Sequence, residues 1–88
     1  MTDKEVLLEL LYRAFLDIRI ASSSQDISPC FILADVFHTI PLQINIADKG
    51  EKSYAEIIAT IQKNCERRNY TPWFDHTMST IAMRHKTE

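Results

Sequence analysis

Asp35 and His38 are the two residues of this 88-residue chain whose types and spacing come closest to a catalytic pair. They lie three positions apart in the largely apolar segment 30–41, and Thr39 follows directly. Residues three or four apart share one face of a helix. A carboxylate at that spacing can orient an imidazole and raise its basicity, as a general base or a metal ligand requires. The pair supports the hypothesis of a small hydrolase or metal-dependent enzyme.

A structural role explains the same two residues. Asp35 and His38 would form the polar edge of an otherwise buried helix, and an imidazole near a helix C-terminus interacts favourably with the helix dipole. A catalytic dyad also needs a nucleophile or a second base, and no serine or threonine stands in a recognisable nucleophile motif. We therefore assign no catalytic residue and keep Asp35 and His38 as the candidates.

No metal site or cofactor is predicted. The three histidines and two cysteines include no pair with the Cys-x-x-Cys or His-x-x-x-His spacing that preorganises metal ligands. The single glycine, Gly50, disfavours a glycine-lined phosphate loop. Cys30 and Cys65 both fall on apolar helix faces, so we expect two thiols that act as small hydrophobic side chains in a reducing cytoplasm. A disulfide between them is the alternative.

Basic residues near the ends of the fourth and fifth predicted helices raise the hypothesis of nucleic-acid binding. They would form one patch if those ends converge, and Tyr70 and Trp73 could then stack on bases. Against this, the net charge is −2, and cations late in a helix lie where the helix dipole favours them. Nucleic-acid binding is the less favoured alternative; its candidates are Lys63, Arg67 and Arg68, with Arg84 and Lys86 completing the patch.

Capping signals and apolar periodicity predict five helices. Thr2 and Glu5 form a capping box for a helix over residues 3–21, and Ser28 as N-cap with Pro29 begins a second helix that stops near Pro41. Residues 42–46 alternate like a strand, but no partner strand exists in the sequence, so we predict a short third helix there.

Two further capping signals complete the helices. Ser53 and Glu56 form a second capping box that starts helix four, with Asn69 as its C-terminal cap. Thr71 and Pro72 repeat the start of a helix, and the chain end from Lys86 should fray.

The predicted fold is all-α: one domain over residues 1–88, built as a small irregular bundle of about five helices. Its central element would be the segment 30–41, because that segment is the most apolar. The core should draw on these apolar residues: Leu7, Leu11, Phe15, Ile18, Leu33, Phe37, Ile58, Ile61, Trp73, Met78 and Ile81, with His85 as a further candidate on the buried face of helix five.

Helix one carries a second apolar stripe at a spacing of four residues: Leu8, Tyr12, Leu16 and Ile20. One stripe could face the fold and the other a partner. A symmetric homodimer would bury this second stripe, and a different protein partner would use the same surface. The alternative is a deeply buried first helix.

Nothing in the sequence predicts a membrane or an exported protein. No apolar run approaches the length of a membrane span, and the N-terminus begins with alternating charge rather than a signal sequence. We expect a soluble, cytoplasmic protein.

Residues 33–42, taken with residues 54–57 and Trp73, carry a likeness to other proteins. Here the chain resembles a family of short bacterial proteins without an assigned activity, and the likeness covers most of the chain after residue 30. The resemblance implies a compact bacterial helical domain and transfers no site residue.

The sequence thus favours a non-enzymatic cytosolic helical protein that acts by binding another protein surface, as a homodimer or with another partner. A narrower form of this hypothesis is an antitoxin or an immunity-type protein, since neutralising a toxin requires only a shaped and charged surface. The enzyme and nucleic-acid hypotheses remain as alternatives.

Overall fold

A computed structural model describes the backbone of residues 2–86 and the side chains up to Arg84. It contains five helices and, within the described residues, no strand, so the all-α prediction is confirmed. The expected core role of His85 and the fraying expected beyond Lys86 lie outside the described side chains and residues. In chain order the helices are α1 (Asp3–Ser22), α2 (Ser28–Phe37), α3 (Ile40–Asp48), α4 (Tyr54–Arg67) and α5 (Thr71–Lys86).

Side-chain caps begin two of these helices, α1 and α4. Thr2 and Glu5 form the predicted reciprocal box at α1, and the Ser53 hydroxyl accepts the backbone N–H of Glu56 at 3.2 Å at α4. The prediction that Ser28 is the N-cap of α2 is wrong, because Ser28 is already helical and its own N–H donates to Asp26 Oδ1 at 3.0 Å. The N-cap residue of α2 is Ile27, which makes no side-chain cap, and the hydrogen bond from Ser28 lowers the pKa of the Asp26 carboxyl.

A two-residue break, His38 and Thr39, separates α2 from α3. Pro41 explains the break, because a proline ring excludes the carbonyl four residues earlier, here Phe37, and has no N–H to donate to it. Helix α2 ends at Phe37 for that reason. Residues 42–46 lie inside α3, which confirms the helical prediction for this segment.

Two helices end in the same hydrogen-bonded motif. At the end of α4 the N–H of Tyr70 donates to the Cys65 carbonyl at 2.8 Å, and Asn69 adopts a positive φ of 56°. At the end of α3 Gly50 has a φ of 82° and donates to the Ala47 carbonyl at 2.9 Å. Both are Schellman motifs, in which one left-handed residue lets the chain satisfy the last helical carbonyls. The prediction of Asn69 as a cap is confirmed.

The centre of the bundle is formed by α1 and α4. Helix α1 packs against α2, α4 and α5, whereas α4 packs against all four of the others. Helix α2 packs mainly against these two and leaves one side exposed, so the prediction that segment 30–41 is the central element is wrong. The fully buried large side chains are Leu7, Leu10, Leu33, Ile40, Ile57, Ile61 and Ile81, with Val36 and Cys65.

Most of the predicted core is confirmed, with one clear exception. Leu11, Ile18, Ile58, Trp73 and Met78 are partly buried against the core. The exception on α1 is Phe15, which is 58% exposed. Ala14 takes the buried position next to it, because a small side chain lets the neighbouring helices approach α1 closely.

The molecule is flat, with extents of 41 × 31 × 20 Å. Its shortest dimension is about two helix diameters, since a helix with its side chains is about 10 Å wide. In a body this thin every helix has one side near solvent. The shape therefore explains why each helix has a solvent side, but it does not explain why apolar residues lie on that side.

Residues Ser28–Asp48, which span α2 and α3, are long and apolar enough to cross a membrane, with a mean hydropathy of 1.4 over the best window. This corrects the expectation that no apolar run approaches that length. The core helix of a compact protein meets the same criteria, so they do not assign a location.

Candidate functional site

The solvent side of α1 carries large apolar side chains that the core does not bury. Five large apolar side chains on it are between 36% and 66% exposed. We call these residues the α1 stripe: Leu8, Tyr12, Phe15, Leu16 and Ile20. Four of them are the predicted second stripe, and the alternative of a deeply buried first helix does not hold for them.

The sequence of α1 explains why this side faces outward. Its buried residues Leu7, Leu10, Ala14 and Ala21 repeat at three, four and seven positions and lie on one side of the helix. The α1 stripe lies on the opposite side. Phe15 is the member that sequence periodicity missed, and the adjacent Ala14 was the available signal.

Shallow grooves run along α1 beside its contact with α5. The two helices are antiparallel, since Glu9 on α1 lies beside Arg84 at the far end of α5, whereas Asp17 lies beside Trp73 near its beginning. Three open cavities of about 190, 340 and 360 Å³ follow this side, and each includes at least one residue of the α1 stripe. The stripe and the grooves form one continuous surface.

Charged groups line the walls of these grooves. The Glu9 carboxylate lies between two guanidinium groups, 3.8 Å from Arg13 Nε and 3.7 Å from an Arg84 nitrogen. At the other end the indole N–H of Trp73 donates to Asp17 Oδ2 at 2.6 Å. These contacts fix α5 against α1 and therefore fix the shape of the surface.

The Trp73 ring is held from two further sides. It stacks on Tyr70 at 6.1 Å between ring centroids and meets Phe37 edge to face at 5.8 Å. Burial raises the pKa of the Tyr70 hydroxyl, with a smaller contribution from the nearby Asp17 carboxylate. Both rings predicted to stack on bases are therefore engaged within the protein.

The expected contact between the Asp35 carboxylate and the His38 ring is not formed among the described side chains. The Nδ1–H of His38 donates to the backbone carbonyl of Asp35 at 2.7 Å, since a carbonyl oxygen only accepts. The Asp35 carboxylate instead lies 3.7 Å from Arg68 Nε. Both residues are exposed, and neither lines the three cavities along α1 and α5.

The predicted basic patch divides into two separate places. Lys63, Arg67 and Arg68 are exposed near the end of α4, where Arg67 bonds to the Asn64 side chain and Arg68 pairs with Asp35. Arg84 lies thirteen residues beyond the start of α5, which is about 20 Å along the helix. The ends of α4 and α5 therefore do not converge, so the condition for a single basic patch is not met. The side chain of Lys86 lies outside the described part.

The two cysteines are free thiols. Cys65 is buried in the core, and burial raises its pKa to about 11, so it stays protonated near neutral pH. Cys30 is half-buried, and its Sγ lies 3.3 Å from the Ile18 carbonyl. Among the described residues no group of three or more histidine, cysteine or carboxylate side chains is arranged to hold a metal ion.

A small polar cluster joins the ends of three helices. The Tyr54 hydroxyl donates to Asp48 Oδ1, and Lys4 Nζ lies 3.1 Å from the same oxygen. Lys4 also lies 5.6 Å from the centre of the Tyr54 ring, within the range of a cation–π contact. All three groups are exposed or half-buried and tie the ends of three helices together, so we assign them a structural role.

Comparison with known proteins adds no relative. No family model matches the chain, and neither a curated protein nor a solved structure matches it. The resemblance carried by residues 33–42 therefore stays a prediction, and function must be argued from the surface itself.

Proposed function

We propose that this protein is a non-enzymatic interaction module that binds another protein through the α1 stripe. The observation that carries the proposal is the exposure of five large apolar side chains on one side of one helix. Soluble proteins rarely expose contiguous apolar surface of this kind unless it is covered by a partner. Aromatic residues such as Tyr12 and Phe15 are also enriched at interfaces, because they bury a large area with few rotatable bonds.

The surroundings of the stripe support this proposal. Charged residues, among them Arg13, Asp17 and Arg84, border the apolar centre, which is the usual anatomy of a protein interface. The stripe also lies on a long helix that packs against three others, so its shape is fixed before a partner arrives. A rigid surface loses less conformational entropy on binding.

The rival hypotheses gain no comparable support. An enzyme built on Asp35 and His38 would need the carboxylate to orient the ring, whereas the carboxylate lies beside Arg68. Nucleic-acid binding would need clustered cations beside exposed rings, whereas Arg84 is remote and Tyr70 and Trp73 stack on each other. An antitoxin or immunity-type role is a narrower form of our proposal and would use the same stripe.

Site-specific photocrosslinking tests the proposal. A photoreactive amino acid replaces Tyr12 at the centre of the stripe, and the matched control replaces Ala59, an exposed residue of α4. After irradiation of cells that produce the protein, we expect one discrete adduct from position 12 and a much weaker yield from position 59. The mass of the adduct tells whether the partner is a second copy or another protein.

The same experiment can contradict the proposal. Equal yields at positions 12 and 59, or only a diffuse set of adducts at both, would mean that the stripe has no specific partner. Changing Leu16 to Lys should also abolish the adduct at position 12, since a cation in the apolar centre opposes its burial. An adduct that survives this change would argue against contact through the stripe.

A further inference from the structure

The solvent side of α1 has a symmetry that specifies one kind of partner. Leu8 and Leu16 lie four residues before and after Tyr12, and Glu5 and Arg19 lie seven residues before and after it. At 3.6 residues per turn all five positions fall within about 40° of one line along the helix. At these five positions the sequence is therefore palindromic in size and opposite in charge about Tyr12, whereas Phe15 and Ile20 at the edges have Glu9 and Lys4 as their counterparts.

From this pattern we infer that the partner is a second copy of the chain, bound with its α1 antiparallel to the first and with the two-fold axis at Tyr12. The inference rests on the proposed function and adds the identity and orientation of the partner. In this arrangement Tyr12 meets the partner's Tyr12, and each Leu8 meets the partner's Leu16. Each Glu5 also meets the partner's Arg19, so two identical ion pairs close the ends of the interface.

Charge complementarity distinguishes this arrangement from the parallel one. A parallel pair in register would place Glu5 against the partner's Glu5 and Arg19 against the partner's Arg19, and like charges at close range repel. Within one chain Glu5 and Arg19 are fourteen residues apart, about 21 Å along the helix, so they cannot pair with each other. The favourable pairing exists only between two antiparallel copies.

Glu5 and Arg19 differ in the contacts that they make within one chain. The Glu5 carboxylate accepts from the Thr2 backbone and hydroxyl through Oε1, and a carboxylate accepts from several donors at once. Arg19 is exposed, and no ion pair of its guanidinium is found within the part of the chain that the structure describes.

Helix packing sets the geometry of this dimer. Two helices that cross at about 20° stay in contact over the distance of about 10 Å from Tyr12 to either charge. At a steeper crossing of about 50° the ends would diverge and the ion pairs would lengthen. We therefore expect the shallow crossing. Phe15 and Ile20 then cover the two edges of the contact.

Sedimentation equilibrium tests whether the chain forms a dimer. The concentrations should span the range around a micromolar dissociation constant. The mass should rise from 10.2 kDa towards twice that value. Arg19→Glu and Glu5→Lys should each weaken the dimer about tenfold, because each change makes two ion pairs repulsive. The double charge swap restores opposite charges and should return the affinity to within about threefold of the original.

Controls separate pairing from general effects of charge and capping. Lys49→Glu and Glu51→Lys make the same changes of charge at exposed positions beyond α3 and should leave the affinity unchanged. Glu5→Gln keeps a capping side chain at the start of α1 and removes only the charge. If Glu5→Lys fails to fold, Arg19→Glu and the following crosslinking experiment still decide the question.

Disulfide trapping tests the register. With Cys30 changed to Ser, Tyr12→Cys places two thiols across the two-fold axis and should oxidise rapidly to a covalent dimer. Leu16→Cys places its two thiols on opposite sides of the axis, about 12 Å apart along the helices, which is too far for a disulfide. Faster crosslinking at position 16 than at position 12 would overturn the antiparallel register.

The outcomes distinguish this inference from the proposed function. A monomer at every concentration, or a dimer unaffected by either charge reversal, overturns the inference. The proposed function fails separately, when photocrosslinking at position 12 yields no specific adduct. An adduct with a different protein, together with a monomer in isolation, would leave the proposed function standing and the homodimer rejected.

Discussion

Asp48 is the residue on which the junction of three helix ends depends. Its carboxylate accepts a hydrogen bond from Tyr54 and pairs with Lys4, so contacts from α1 and α4 meet at the end of α3. The hydrogen bond from Tyr54 and that from Lys4 lower the pKa of Asp48 below its usual 3.8. The same bonds to Asp48 raise the pKa of Lys4 above 10.5 and that of Tyr54 above 10.0.

These shifts predict how the stability of the protein depends on pH. The contribution of Asp48 is present above its unfolded pKa of 3.8 and is lost as the pH falls through the lower folded value. The contributions of Lys4 and Tyr54 are present below about pH 10 and are lost as the pH rises through their raised values. Asp48→Asn should therefore reduce the free energy of unfolding between these limits, and the difference from the original chain should shrink at both extremes.

Urea unfolding monitored by circular dichroism at a series of pH values measures this difference. Asp75→Asn, on the exposed side of α5, provides a control that removes one negative charge outside the cluster. A difference between the original chain and Asp48→Asn that stays constant down to pH 2 would show that the carboxylate does not stabilise the junction.

At the level of helices, capping chemistry made most ends predictable. The Thr2 and Glu5 box, the Ser53 cap, the break before Pro41 and the turn at Asn69 each follow from local sequence rules, and each is found. The start of α2 was misplaced because Asp26 reaches the N–H of Ser28 from a turn outside the helix. The sequence rules named only Ser28, next to Pro29, because local propensity does not show which side chain reaches that N–H.

The left-handed residues Asn69 and Gly50, which end α4 and α3, predict how substitutions there change stability. Asn69→Gly should leave stability unchanged or raise it slightly, because glycine adopts a positive φ without steric strain. Asn69→Ala should cost about 1 kcal/mol, because a Cβ in the left-handed region meets the following carbonyl. Gly50→Ala should cost a similar amount, and since no atom lies within 4 Å of the new Cβ, that cost is purely conformational.

Chemical denaturation of the three variants tests this expectation. Equal stability of Asn69→Ala and Asn69→Gly would mean that residue 69 does not hold a left-handed conformation in solution. A large loss for Gly50→Ala, several times that of Asn69→Ala, would point to a collision that the structure does not contain.

At the scale of the whole molecule, sequence patterns showed which helix faces are buried or exposed better than they showed which helix is central in the bundle. Four of the five residues of the α1 stripe could be predicted because two apolar stripes on one helix cannot both face the same core, whereas Phe15 was assigned to the core. The central position of α4 was missed, since one apolar stripe on an amphipathic helix does not reveal how many neighbours share it. The remoteness of Arg84 was also missed, because it depends on the direction of α5 in the bundle, which follows from packing between helices.

The flat bundle leaves α2 with two phenylalanines in opposite environments, and this predicts how the apolar segment Ser28–Asp48 behaves. Phe37 is 5% exposed and meets Trp73, whereas Phe31 on the same helix is 64% exposed. Phe37→Ala should cost about 3–5 kcal/mol, a large share of the stability of a small domain, whereas Phe31→Ala should change it by about 0.5 kcal/mol or less. Thermal and urea unfolding of the two variants, in buffer without lipid, measures both changes in the free energy of unfolding.

Equal losses of stability in Phe37→Ala and Phe31→Ala would mean that α2 does not pack on the core through Phe37, as expected if the segment instead inserted into a membrane. The expected inequality would show that the segment belongs to the core of a folded, water-soluble bundle.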